Sequence, residues 1–234
     1  MKKTRIKNWK KYTIEFLSIF IAVIAAFGLD HWNDNRNNRI AESKILSEIV
    51  NGLDKDLTDV ELNIEGHKLG LNATVYFRNL IAKKPISTDS LMLYYFHLTR
   101  DFVSIQNTSG YETLKSKGLE LIQNDSLRTN IISLYEYDFN TLRKLEEEYQ
   151  EMQFHENYFK EINESISQNL LFNNDKLIVG VKSPLEIDPK KEKVLLTYLW
   201  KIATNRSFIL EFYTKIESKI KDLRAEIKEE LEPY

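Results

Sequence analysis

The side chains best suited to chemistry are four histidines and a scatter of carboxylates, and their spacing argues against the common uses of both. His31, His67, His97 and His155 stand far apart, none within four residues of another. A carboxylate-bridged di-iron centre in a helical bundle needs Glu-x-x-His pairs on facing helices, and no such pair occurs. His155-Glu156 begins like a zinc-protease helix, but Phe159 stands where the second histidine belongs. The chain has no cysteine, which excludes disulfides, thiolate metal sites and cysteine nucleophiles. Its seven glycines form no phosphate-cradling loop, dinucleotide fingerprint or Gly-x-Ser-x-Gly elbow. No catalytic, cofactor-binding or metal-ligating residue is therefore assigned, and the expectation is a protein that is not an enzyme and carries no cofactor.

Two polar features remain. Between Phe102 and Ile122, hydrogen-bonding side chains collect beside aromatics, with Gln106, Ser109, Tyr111 and Glu112 as candidate lining of a pocket. A connecting loop that caps helices with Ser, Thr and Asn has the same composition. The other feature is Glu15, a carboxylate at the start of an apolar run. An acid inside a membrane span is a functional-site hypothesis by default. A pair with Lys11 four residues earlier, or snorkelling toward water, accounts for it equally simply.

That apolar run organises the rest. From Phe16 to Leu29 the sequence FLSIFIAVIAAFGL carries no charge, and Tyr12 to Trp32 would span roughly 31 Å as a helix, about one hydrocarbon core. Lys2, Lys3, Arg5, Lys7, Lys10 and Lys11 precede it; taking those six from the net charge of −2 leaves −8 for the remainder. Cations before the span predict the N-terminus inside and the C-terminal domain outside. A mildly acidic domain does not suit nucleic acid, whose binders present a basic face. The division expected is a basic cytoplasmic tail (1–11), a transmembrane helix (12–31) and a periplasmic helical domain (32–234) on the inner membrane. A cleaved signal peptide is the competing account, with Ala26-Phe27-Gly28 as the best cleavage candidate. Glu15, Ser18, Ala22, Ala25 and Ala26 share one face of the span, and small residues at that spacing let membrane helices approach closely.

Glu15, Ala26 and the motif Trp32-Asn33-Asp34-x-Arg36 resemble the anchor of an uncharacterised family of Bacteroidota-type inner-membrane proteins. In that family a Glu opens the membrane helix and W-N-[E/D]-x-R closes it. The stretch YETLKSKGLELIQNDSLRTNIISLY, Tyr111 to Tyr135, is similar to the family's second recurrent segment. Gly would be expected at Ala22 and a polar residue at Gly28. The resemblance implies the topology and supplies no activity; Trp32, Asn33, Asp34 and Arg36 would lie at the outer interface.

Beyond Arg39 the composition is that of long helices, so the fold class expected is all-α: one membrane helix continuing into an antiparallel helical bundle. Leu46, Ile49, Leu53, Leu57, Val60 and Ile64 recur at steps of three and four, predicting one rod from Lys10 to about Lys68 with a bend at Gly66 or Gly70. Short helices are expected over 89–99 and 109–117, the second closed by Gly118. Asn124-Asp125-Ser126 should cap a helix of more than ten turns reaching Ile166, its apolar face interrupted by Asp138. The segment 170–187 reads as a loop with one strand-like piece at 177–179. Asp188-Pro189 should open a last helix to about Glu230, striped by Leu195, Leu199, Ile202, Ile209, Tyr213, Ile216, Ile220, Leu223 and Ile227. From Ile209 the stripe has coiled-coil spacing, which serves packing within the chain or between chains.

The function these features suggest is a structural or assembly subunit of an envelope complex, bound to lipid and self-associating or joined to another membrane protein. The alternative is an extracytoplasmic ligand-binding or sensor domain that signals through a partner.

Overall fold

The computed structural model describes residues 5–232, with side-chain surroundings from Trp9 onward; Lys2 and Lys3 of the basic tail lie outside that range. The chain is 81% helical, which settles the class as all-α. It opens with α1, Arg5–Ile81, an unbroken helix of 77 residues and roughly 115 Å. No proline occurs before Pro85, so nothing removes a backbone donor along the way. The helix ends where Lys83 turns to φ 60. Lys83 N–H then donates to the Leu80 carbonyl at 3.2 Å and Lys84 N–H to that of Asn79 at 2.9 Å. This is the paired closure of a Schellman stop, with lysine where glycine is usual.

Up to Ile40 every described residue of α1 is exposed, and the first buried positions are Ile45 and Leu46. This is a helix long and apolar enough to cross a membrane. From Ile45 onward α1 is the spine of a packed domain. α2 (Leu91–Leu98) and α3 (Ser109–Lys117) lie against it, and Gly118 closes α3 at φ 105 with its N–H on the Leu114 carbonyl.

The long helix expected from Asn124 to Ile166 is in fact three. Asn124 caps α4 (Asp125–Ile132) through Ser126 and Leu127 N–H. A π-helical turn over Ser133–Asp138 then inserts an extra residue into the ladder. It brings Asp138 inward to an ion pair with Lys219. α5 (Phe139–Glu147) follows, and the chain breaks before α6 (Phe154–Ile166). The break has a tertiary cause: Asp101, more than fifty residues earlier, accepts from Phe154 N–H at 2.7 Å and starts a new helix there.

The segment after α6 forms a hairpin in place of a single strand-like piece. β1 (Leu170–Phe172) pairs antiparallel with β2 (Ile178–Val181), Leu170 opposite Val181, with a register shift after Leu171. Asp188 accepts from Lys190 and Lys191 N–H and opens α7, Pro189–Leu231. α7 returns along α1 in the opposite direction: Arg224 meets Asp54, Lys221 meets Glu61, and Arg206 meets Gly70. All nine expected stripe residues of α7 are buried within the chain.

Candidate functional site

In the anchor, Lys11 and Glu15 form an ion pair at 4.0 Å and the Ser18 hydroxyl donates to the Glu15 carbonyl at 2.8 Å. Ser18, Ala22, Ala25 and Ala26 follow on the same side of α1 and are exposed. Trp32 and Arg36 line a shallow groove with Asn35, Arg39 and Ile40, while Asn33 and Asp34 fall outside it.

The densest polar structure lies elsewhere, where residues 99–108 cross α1 as a strap between α2 and α3. Ordinary loops leave their amides in water; here carboxylates of the helices below take them. Asp56 accepts from Asn107 N–H at 2.6 Å and Asp59 from Ile105 N–H at 3.0 Å. Glu146 of α5 accepts from Ser104 N–H at 3.1 Å and from the Ser104 hydroxyl, and also takes the Tyr213 hydroxyl from α7. Asp56 and Glu146 are 2% and 6% exposed, so neither is stabilised by bulk water. Burial pushes both carboxyls up to about 7; the Asn107 amide acts against this at Asp56, and the Tyr213 hydroxyl at Glu146.

At the strap's α2 end sits Arg206, the largest fully buried side chain in the domain. Its Nη2 donates to the carbonyls of His97, Leu98 and Arg100 at 3.1, 3.1 and 2.8 Å, and Nη1 to His67 Nδ1 at 3.0 Å. The first two carbonyls are orphans of the end of α2, so a cation from α7 caps α2. The guanidinium lies over the Phe154 ring at 4.2 Å. Burial lowers its pKa to about 9, partly countered by Asp101, leaving it charged at neutral pH. His67 is driven to about 3 by burial and by Arg206, so it is neutral, with its proton on Nε2.

The two glycines expected to bend α1 make room for this assembly instead. A Cβ on Gly70 would stand 2.3 Å from Arg206 Nε, and one on Gly66 would stand 2.2 Å from the Phe102 ring. The helix runs unbroken through both positions, and its glycines face inward, toward groups that need the space of a missing side chain.

The four residues singled out as a candidate pocket belong to the strap and the start of α3. Gln106 donates to the Ser104 hydroxyl at 2.8 Å, and Ser109 to Asn107 Oδ1 at 2.9 Å. Tyr111 is buried, stacked on Tyr135 at 4.6 Å with its hydroxyl on Glu136, while Glu112 pairs with Lys115 at the surface. A half-open cavity of about 230 Å³ lies away from them, between the π-helical turn and α7, lined by Ser133, Asp138, Lys219 and Asp222 among others. Among the described residues no three His, Asp or Glu side chains are placed to hold a metal ion.

Asp56, His67, Glu146 and Arg206 were legible in principle, because each holds a position in register with an apolar stripe. Arg206 falls midway between Ile202 and Ile209, Asp56 between Leu53 and Val60, His67 one step beyond Ile64 and Glu146 one step beyond Leu142. An ionisable residue at a core position signals a buried polar partner set.

No protein family, curated protein or solved structure matches the chain.

Proposed function

We propose that this protein is a single-pass inner-membrane subunit that assembles through its anchor and holds a rigid helical domain on the outer side. The observation that carries this reading is the contrast within α1. An apolar helix of full membrane length stays exposed on every side, yet is continuous with the spine of a well-packed domain. Such a surface needs lipid or another helix to cover it. The six cations ahead of the span support an N-terminus on the inside. The Glu15, Ser18, Ala22, Ala25, Ala26 face is the contact, with Trp32 and Arg36 at the outer headgroups. The resemblance of Glu15 and the Trp32 motif to an inner-membrane family points the same way.

The chain has no cysteine, which makes a clean test available. Single cysteines placed through the span should crosslink in membranes at Ala22 and Ala25 and not at Phe20 or Ile24, which lie on the opposite side of the helix. A strict monomer by native mass measurement, with no partner retained, would sink the assembly reading. Recovery of the full chain in the soluble fraction would sink the anchoring.

A ligand-binding role signalling through a partner is the second reading, favoured by the cavity beside Asp138 and Lys219. Saturable binding of a small molecule that is lost in Asp138→Ala would promote it.

A further inference from the structure

Three carboxylates from two helices hold the amides of three strap residues, Ser104, Ile105 and Asn107, and this arrangement does more than fix a loop. We propose that the strap over residues 99–108 is a proton-operated latch, closed onto α1 when Asp56 and Glu146 carry protons and loosened when both are ionised. The geometry supplies the reason. Asp56 Oδ1 is taken by Asn107, but Asp56 Oδ2 is buried without any hydrogen-bond partner. An ionised carboxylate with one oxygen stranded in the interior is costly. A protonated one is neutral and has Oδ2 as a donor. The neighbouring π-helical turn holds the Tyr135 hydroxyl, likewise buried and without a partner, and electrostatically coupled to Asp56.

Glu146 has a related problem. Its oxygens receive the Ser104 and Tyr213 groups, but Asp59 of α1 adds a like charge that raises it further. Asp59 does the same to Asp56. Ionising both buried acids thus gathers three negative charges beneath one short segment. Lys55 is the cation that offsets Asp56. Behind Tyr213 stands His67, ring to ring at 5.4 Å, already neutral and unable to neutralise Glu146 as pH changes near 7. Both carboxyls are raised to about 7, so the latch tightens below neutrality and slackens as pH rises through it.

Hydrogen exchange on the full chain in detergent micelles, near pH 6 and near pH 8 and corrected for intrinsic exchange rates, reads the latch directly. The Ser104, Ile105 and Asn107 amides should lose about tenfold in protection at the higher pH, while the middle of α7 keeps its own. The double variant D56N/E146Q should remove that difference and stay protected at both values. Equal strap protection at the two pH values, an equal loss throughout α7, or a pH effect that persists in the double variant would each overturn the latch. Should the double variant fail to fold, carboxyl carbon NMR titration of the unaltered protein decides. Midpoints of Asp56 and Glu146 near 7 support the proposal, and midpoints in the ordinary carboxylate range refute it.

Discussion

The part of α1 up to Ile40 and the part from Ile45 onward share one helix and almost nothing else. The lower part is apolar, then rich in asparagine, and exposed at every described position; the upper part buries Asp56, Asn63, His67 and three glycines against the rest of the chain. Helix formation alone therefore places few demands on sequence, since both halves achieve it. Close packing is what demands particular residues. In the upper half the polar groups are interior and face partners from other elements; in the lower half the described side chains are exposed.

The strongest way to break this contrast is to remove the buried cation. Arg206→Leu strands the carbonyls that cap α2 together with His67 Nδ1, and is expected to destabilise the domain by about 3–5 kcal/mol. Arg36→Leu, on the exposed half, should stay within about 0.5 kcal/mol. Denaturant unfolding in detergent compares the two. Gly70→Ala comes next, because the added methyl meets Arg206 Nε at 2.3 Å. A loss of about 1–3 kcal/mol is expected, whereas Gly28, with nothing within 4 Å, should accept alanine without changing the domain's melting temperature.

The pH dependence sharpens the same comparison. Asp56 and Glu146 have folded pKa values near 7, above their ordinary range, so their contribution is fully present in acid and lost as pH rises through 7. The loss is on the order of 2 kcal/mol per carboxyl. His67, depressed to about 3, works the other way, costing stability as pH falls below its ordinary value. Two carboxyls outweigh one imidazole, so thermal stability should decline from about pH 5 to pH 8, and a flat profile would contradict the burial argument. Among the changes expected to destabilise the domain, the smallest is Asp188→Ala, which removes the cap of α7 at a cost of about 1 kcal/mol; circular-dichroism melting measures it.

Much of the fold was legible because local rules act within a few residues. Apolar spacing marked the buried face of α7, and Asp188-Pro189, Asn124 and Gly118 marked helix ends that the structure places where capping chemistry puts them. What could not be read locally was long-range. The division between α5 and α6 depends on Asp101 reaching across the chain to Phe154, and nothing near Phe154 signals it. The need for glycine at 66 and 70 depends on Phe102 and Arg206 arriving from other elements. The strap's polar composition is local, but the carboxylates beneath it sit inside apolar stripes of α1 and α5, and only the fold brings them to its amides.

The unbroken course of α1 also makes the molecule a lever. From Leu29 to Ile81 the helix rises roughly 78 Å. With the proposed span in a bilayer and the helix stiff, an average tilt of about 20° would carry the far end roughly 27 Å sideways. A change of a few degrees in how the anchor packs would thus appear as a sweep of several ångströms at the hairpin, so lateral reach at the tip is set by events at the base.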